Sequence, residues 1–126
     1  MPNNTKPSKA FLLQTCPFCF KFLLFMTEAG LRDQIEVITF DAEAADYQEK
    51  RTELKSLLGR DVAFPTVEIE PGVYQSDSDA LIEHYAKKHG IDQETLTTLE
   101  YYNKGVFSKV ISLFMENKEL KSKLNS

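Results

Sequence analysis

The only two cysteines in this chain of 126 residues lie three positions apart, in the segment Cys16-Pro17-Phe18-Cys19. Two thiols at this spacing can work as a pair, because a thiolate on one attacks a disulfide sulfur and the other resolves the mixed disulfide that forms. A structural zinc ion usually needs four Cys or His ligands. The remaining candidates, His84 and His89, stand five apart and far along the chain, so we expect redox chemistry and no metal.

The residues around Cys16 indicate a reactive thiol. Ala10–Gln14 is a short apolar run ending at a turn, which is typical of a strand. Pro17 favours the first position of a helix, and Phe18–Ala29 is the predicted helix. The sulfur would face the unpaired N–H groups of its first turn, where a cysteine pKa falls from ~8.5 to roughly 3.5–7.5. Lys21 either adds positive charge at this site or is a solvated helix residue. Two core cysteines that happen to lie three apart are the alternative.

A second segment with chemical interest is Phe64-Pro65-Thr66, just before a predicted strand. A proline at the start of a strand is tolerated in the ordinary trans form. A cis Phe64–Pro65 bond, which is rare among X–Pro bonds, would leave the N–H and C=O of Phe64 free to pair with an extended peptide. The sequence alone leaves both forms open.

Polar side chains cluster at Ser76-Asp77-Ser78-Asp79, directly before a predicted helix. One or two of them must cap that helix, and this role needs no ligand. A helix N terminus with spare hydroxyls and amides also binds a carboxylate, and a neighbouring Asp binds an ammonium group. The cluster therefore suits either a simple cap or a ligand that carries both groups.

The rest of the chain supplies an α/β scaffold for these segments. Ile35–Phe40 alternates and is rich in strand-forming residues, which predicts a second strand. A helix separates it from the first strand, so the two must be parallel with a right-handed connection. A hairpin follows around Pro71-Gly72. The order β-α-β-α-β-β-α predicts a four-stranded mixed sheet with helices packed on it. The remaining predicted elements are a helix from about Ala44 to Leu58, strands Thr66–Glu70 and Val73–Gln75, and a helix ending at Lys88.

A helical extension is predicted after this domain, because Ile91–Leu124 carries further helical periodicity. The helix after Cys16 is apolar almost all round, so one sheet cannot cover it. We expect the apolar stripe of the extension to cover its second face; a homodimer is the other possibility, since the face left exposed would be a large apolar patch. The predicted organisation is a flexible tail at 1–9, a domain at 10–90 and a helical extension at 91–126 that packs on the domain. The stripe consists of Leu96, Leu99, Tyr102, Val106, Val110, Leu113 and Phe114.

Composition and charge exclude several classes of function. The net charge of −4 and the pI near 5.2 argue against nucleic acid as a partner, because phosphate binding needs a basic face. The most apolar stretch, Phe18–Met26, contains Lys21 and is far shorter than the ~20 residues that a bilayer requires. The apolar run Ala10–Leu13 is too short for a signal peptide. We therefore expect a cytoplasmic protein with no membrane partner, in a compartment that disfavours a structural disulfide.

The three segments together resemble those of glutaredoxins and of glutathione S-transferase N-terminal domains, which share the thioredoxin-like fold. Cys16-Pro17-Phe18-Cys19 followed by Lys21 is similar to the CP[YF]C-x-K opening of glutaredoxins. Phe64-Pro65-Thr66-Val67 resembles the cis-Pro loop, and Asp77–Tyr85 resembles the ESDAIIEYL stretch of glutathione transferases. The resemblance covers about Lys9 to His89.

This resemblance implies a glutathione site. Cys16 would be the nucleophile and Cys19 the resolving thiol, while Phe64 would pair its backbone with the cysteinyl part of glutathione. The γ-glutamyl end, which carries both a carboxylate and an ammonium group, would bind at the polar cluster. The implied glutathione-binding residues are Phe18, Lys21, Phe64 and Pro65, with Asp77 and Ser78, and Ser76 also in register, at the γ-glutamyl end.

Three functions are compatible with these features. The first is an oxidoreductase that reduces glutathione mixed disulfides or protein disulfides, with glutathione as co-substrate. The second is a glutathione transferase-like protein that conjugates or binds glutathione, and the third is a non-enzymatic partner-binding module. The expected partners are glutathione and disulfide-containing or glutathionylated proteins or small molecules, and the chain is expected to be a monomer or a homodimer.

Overall fold

The structure is a computed structural model that describes residues 6–124. The elements alternate between strands and helices up to residue 89 and are helical after that. Short 3-10 turns lie at Arg32–Gln34 and Gln93–Thr95, and a π-helical turn at Tyr102–Phe107 joins the last two helices. The strands and helices are β1 (Ser8–Leu13), α1 (Pro17–Glu28), β2 (Ile35–Phe40), α2 (Tyr47–Leu58), β3 (Thr66–Glu70), β4 (Val73–Ser76), α3 (Ser78–His89), α4 (Thr97–Tyr101) and α5 (Ser108–Leu124).

The four strands form one mixed sheet in the order β2-β1-β3-β4. β1 and β2 are parallel over their full length, from Ser8 opposite Ile35 to Leu13 opposite Phe40. The crossover through α1 requires this, since parallel neighbours need a long connection. β3 pairs antiparallel with both β1 and β4. The predicted four-stranded mixed sheet, with the thioredoxin-like order of elements, is therefore confirmed.

Helices cover both faces of the sheet, because alternate residues of β1 point to opposite sides. On one face α1 and α3 pack together against Ala10 and Leu12. On the other face Leu54 of α2 packs against Phe11 and Phe40. The first face holds most of the large, fully buried side chains, which include Phe22, Phe25, Met26, Leu81 and Ile82.

Two predicted boundaries differ from the structure by two residues or more. β1 begins at Ser8 rather than Ala10, since Ser8 and Lys9 pair with residues 35 and 36 of β2. The predicted tail at 1–9 is thus too long by at least these two residues, and its positions 1–5 lie outside the described range. α2 begins at Tyr47 rather than near Ala44. The Ala44 N–H donates to the Asp41 carbonyl at 3.0 Å and the Tyr47 N–H donates to the Ala44 carbonyl at 3.1 Å, so these residues form short turns before the helix.

In the structure the first half of the extension lies on α1. Leu96, Leu99 and Tyr102 are buried. α4 is held at the end of α1 by Glu28, whose two carboxylate oxygens accept the N–H groups of Thr98 and Leu99 at 2.9 and 2.8 Å. These bonds satisfy amide donors that the first turn of a helix otherwise leaves unpaired.

The second half of the stripe does not cover α1, so the prediction is wrong there. Val106, Val110, Leu113 and Phe114 are all exposed, and the described part of α5 contains no buried residue. The reason is that the extension runs back along α1, from Glu28 in its last turn to Pro17 and Phe18 at its start, and α5 continues past that point. Its contacts go mainly to the π-helical turn. No helix within residues 6–124 combines the length and the apolar character needed to cross a membrane.

Candidate active site

Cys16 is placed by the turn between β1 and α1. Its backbone N–H donates to the carbonyl of Leu13 at 3.0 Å, and its own carbonyl accepts the first helical N–H, from Phe20, at 3.1 Å. Pro17 occupies the first position of α1, where its missing N–H costs nothing. Cys16 therefore precedes the helix directly, as the sequence predicts, and is half-buried.

This position lowers the pKa of the Cys16 thiol from an ordinary 9.0 to about 6. The largest cause is a hydrogen bond from the side chain of Cys19, which favours the thiolate; partial burial opposes it. The backbone N–H groups of Cys19 and Phe18 lower the pKa further. The sequence predicts the helix amides as the main cause of the lowered pKa, whereas the neighbouring thiol contributes more.

Cys19 is nearly inaccessible, at 3% exposure. Its pKa is raised, first because its proton is donated to Cys16 and then because it is buried. The sulfur of Cys19 also accepts the N–H of Leu13 at 3.3 Å. Both cysteines are free thiols in the structure. The two pKa values are shifted in opposite directions, so Cys16 ionises first and Cys19 keeps its proton.

The loop before β3 lies opposite the thiol. The Phe64–Pro65 peptide bond is cis, as the sharper of the two sequence interpretations predicts. The carbonyl oxygen of Phe64 is 4.0 Å from the Cys16 sulfur. No backbone hydrogen bond among the described residues uses the Phe64 N–H. The ring of Phe64 packs against Phe40 with centroids 5.1 Å apart, so the side chain anchors the loop while its backbone faces the site.

The polar cluster lies at the N terminus of α3. Asp77 has a φ of 81°, and its carboxylate caps the helix by accepting the Asp79 N–H at 3.2 Å. Ser78 is buried as the first helical residue. Ser76 is engaged elsewhere, since its hydroxyl lies 2.6 Å from that of Thr66 and accepts from the Arg60 guanidinium at 3.0 Å. The capping role predicted for the cluster is therefore filled by Asp77.

Lys21 is neither solvated nor free to add its charge to the thiol. Its ammonium group pairs with Asp79 at 2.6 Å, and the side chain is only 12% exposed. The same group lies 4.7 Å from the centre of the Phe107 ring, a cation–π geometry. Lys21 thus connects α1 to α3 and to the extension, and the solvated interpretation is wrong.

Two aromatic residues of the extension reach the site, which the sequence analysis missed. The Tyr102 hydroxyl donates to the carbonyl of Pro17 at 2.9 Å. Burial and the negative charge of Cys16 raise the pKa of this hydroxyl. Phe107 meets Phe18, which is 43% exposed, edge to face at 5.4 Å. The only sequence signal was the apolar stripe, which identified Tyr102 as a cover for α1 and gave no role to its hydroxyl.

The described residues hold no cluster of three or more His, Cys, Asp or Glu side chains suited to a metal ion. Cys16 lies beside the side chain of Cys19 and the Phe64 carbonyl of the cis-Pro loop, and the ring of Phe18 is exposed. Lys21 joins α1 to Asp79 in the first turn of α3, and the Ser76 hydroxyl is occupied by Thr66 and Arg60. Such an arrangement can attack a disulfide sulfur and hold an extended peptide beside it.

Comparisons with known proteins address the same region. The family model described as "Glutathione S-transferase, N-terminal domain" matches residues 15–88. The structure of glutathione transferase Omega 2C from Trametes versicolor is 13% identical, with a TM-score of 0.42. That alignment covers 87% of this chain and 46% of the transferase, so the chain spans less than half of its length. Among curated proteins none matches.

The matched segment includes both cysteines, the cis-Pro loop and the whole of α3 except its last residue. It covers more than half of the 126 residues. The sequence resemblance to this family rested on the same three segments. The chain belongs to the glutathione S-transferase N-terminal domain family.

Proposed function

We propose that this chain is a glutathione-dependent thiol-disulfide oxidoreductase of the glutaredoxin type. The main support for the proposal is that the pKa values of the two thiols are shifted in opposite directions. The pKa of Cys16 is lowered to about 6, and that of Cys19 is raised. At neutral pH such a pair offers one nucleophile and one proton-bearing partner. A low-pKa, partly exposed cysteine beside a second thiol is the usual arrangement in disulfide exchange.

The reaction begins with attack of the Cys16 thiolate on the glutathione sulfur of a mixed disulfide. A sulfur–sulfur bond forms between Cys16 and glutathione, and the substrate leaves as a thiolate that takes up a proton. A second glutathione, as its thiolate, then attacks the glutathione sulfur of this mixed disulfide, which forms oxidised glutathione and releases the Cys16 thiolate. With a protein disulfide, Cys19 loses its proton and attacks Cys16 instead; the resulting Cys16–Cys19 disulfide is reduced by two molecules of glutathione.

Glutathione would lie between the cis-Pro loop and α3. The backbone N–H and C=O of Phe64 are suited to pair with its cysteinyl residue, next to Pro65, in the manner of an added strand. Its γ-glutamyl group would reach the N terminus of α3, at Asp77 and Ser78. Phe18, Lys21 and Ser76 would border the molecule; of these, Phe18 has the most exposed surface to offer.

The proposal is tested by glutathione-coupled reduction of a small mixed disulfide. We expect turnover with the wild-type protein and none with Cys16→Ser. When free glutathione is left out, the Cys19→Ser protein should accumulate glutathione on Cys16 after reaction with a glutathionylated substrate, as intact-protein mass spectrometry would detect. Absence of turnover in the wild type, together with a Cys16 pKa near that of free cysteine, would rule the proposal out.

The family match favours a second candidate, a transferase-like protein that binds or conjugates glutathione without exchanging disulfides. The two are separated by soaking the protein with reduced glutathione and with oxidised glutathione. A peptide seated at Phe64 whose sulfur never bonds to Cys16, combined with conjugation of an electrophile, favours the transferase. A Cys16–glutathione disulfide favours the oxidoreductase.

Both candidates fit the cytoplasm, where free thiols persist and glutathione is abundant. The two free cysteines support this location, since a structural disulfide would suit an oxidising compartment instead. The partners in either case are glutathione and the protein or small molecule that carries the disulfide or electrophile.

A further inference from the structure

Within residues 6–124, helix α5 packs mainly against the π-helical turn that precedes it. Every residue from Ser108 to Leu124 is exposed apart from the half-buried Ile111. Five of these residues follow one another at alternating intervals of three and four positions. This is the a/d spacing of a heptad repeat, which places the residues along one face of a helix that pairs with another helix. These residues, which we call the α5 seam, are Val110, Leu113, Asn117, Leu120 and Leu124.

The residue types of the α5 seam correspond to a particular kind of pairing. The a positions carry Val110, Asn117 and Leu124, and the d positions carry leucine. A β-branched residue at a with Leu at d favours two parallel strands, and one Asn at a fixes their register. Leu113 is 64% exposed and Leu120 is 52% exposed, so a single chain leaves this apolar face uncovered.

The side chains beside the seam are complementary to a second copy. In a parallel pair each g residue faces the e residue five positions later on the partner helix. Glu116 at g would then face a partner lysine at the position of Lys121, and Lys109 would face a partner ring at the position of Phe114. Within residues 6–124 neither Glu116 nor Lys121 makes an ion pair. Both pairings are attractive, one ionic and one cation–π.

We propose that α5 pairs with α5 of a second copy of this chain as a short, parallel, two-stranded coiled coil. In two identical helices in register, the Glu116–Lys121 pair and the Lys109–Phe114 pair each form twice, once on each side of the seam. The pairing joins the chains through a helix that begins after the contacts of Phe107, so it leaves the thiol sites uncovered. This inference does not depend on the proposed function.

Sedimentation equilibrium of the full chain over a range of concentrations tests the proposal. We expect a species of twice the monomer mass of 14.4 kDa at the higher concentrations. Leu113→Lys should shift it to monomer, because two charges would meet in the seam. The matched control is Met115→Lys, since Met115 is 57% exposed and lies at an f position, away from the seam. A monomer at every concentration, or a dimer lost equally in both variants, would overturn the proposal.

Exchange of the flanking charges tests the parallel register. Glu116→Lys should weaken the dimer by about tenfold, because both attractive pairs become repulsive. The double variant Glu116→Lys with Lys121→Glu should restore it. Asn117→Val should strengthen the association of the helices. It should also allow trimers or tetramers to form, because the polar residue at position a no longer selects two strands. Failure of the double variant to recover the dimer would contradict the parallel arrangement.

Because α5 is exposed, none of these substitutions removes a contact of the folded domain. Circular dichroism and thiol reactivity of Cys16 should be the same in all variants, which separates loss of association from loss of folding. A change in Cys16 reactivity in Leu113→Lys but not in Met115→Lys would count against a dimer that leaves the thiol sites uncovered.

Discussion

The two thiols of this protein differ in pKa because they lie at opposite ends of the first turn of α1. Cys16 precedes α1 and is half-buried, whereas Cys19 is inside the core one turn later. The proton of Cys19 stabilises the Cys16 thiolate, and the same bond holds that proton on Cys19. A CxxC segment is therefore one coupled unit, in which the buried partner sets the reactivity of the exposed one.

We expect the pKa of Cys16 to rise in Cys19→Ala, because the largest interaction that lowers it is removed. Cys19→Ser keeps a hydroxyl donor at this position and should raise the pKa less. The ultraviolet absorbance of the thiolate, followed against pH, measures both. An unchanged pKa in Cys19→Ala would mean that the backbone amides of α1 dominate instead.

The same shift predicts how stability depends on pH. Between about pH 6 and pH 9 the folded state holds Cys16 as a thiolate and the unfolded state holds it as a thiol, so unfolding takes up a proton. The free energy of unfolding should therefore rise with pH in this window, and the gain should be lost as the pH falls through about 6. Urea unfolding of the reduced protein, compared with Cys16→Ala across this range, isolates the contribution.

Tyr102 is the residue of the extension with a specific bond to the thiol turn. Tyr102→Phe removes the hydroxyl that donates to the Pro17 carbonyl and should lower the free energy of unfolding by about 0.5–1.5 kcal/mol. The neighbouring Tyr101→Phe is the control, because Tyr101 is 75% exposed and should change stability by less than about 0.5 kcal/mol. Equal effects of the two substitutions would contradict this role for the Tyr102 hydroxyl.

Among the elements, α1 decides how the molecule is assembled. One face packs on the sheet and α3, its N terminus faces the thiol, and its last turn carries Glu28, which caps α4. Through these contacts a single helix connects the reactive cysteine to the helical extension. The start of the extension is thereby fixed by hydrogen bonds as well as by apolar packing.

Removal of the Glu28 carboxylate should loosen α4 selectively. In Glu28→Ala the amides of Thr98 and Leu99 lose their acceptors, so hydrogen exchange should speed up at residues 97–102 and stay unchanged in the sheet. Glu53→Ala, on the exposed face of α2, is the control. Unaltered exchange at Leu99 in Glu28→Ala would show that packing alone holds α4.

For the whole molecule, the extension contains two parts with different roles. Residues 91–107 complete the core over α1, whereas the described part of α5 has no buried residue and contacts mainly the π-helical turn before it. Removal of residues 91–126 should give an aggregating or unfolded protein, since it uncovers the apolar face of α1 and the contacts of Leu96 and Leu99. Removal of residues 108–126 should leave a folded monomer. Light scattering and circular dichroism distinguish the two, and a stable, active 1–90 fragment would contradict the covering role.

Much of the fold follows from near neighbours in the sequence. β2 and β3 have the predicted bounds, because strand alternation and the Pro71-Gly72 turn are local signals. The position of Cys16 before a helix follows from Pro17 for the same reason. The capping cluster is also a local signal, because short polar side chains are favoured at a helix N terminus. The sequence located the loop at Pro65 but left the cis and trans forms of its peptide bond open, and the structure shows the cis form.

Only the tertiary structure decided which partner each side chain meets. Lys21 pairs with Asp79, 58 positions away, and Tyr102 donates to Pro17, 85 positions away. No periodicity encodes such distances. The apolar stripe of the extension is continuous in sequence, yet the chain buries Leu99 and exposes Leu113, because the stripe continues past the first residues of α1. Local propensity determines which elements form, whereas burial and ion pairing depend on where the chain brings those elements together.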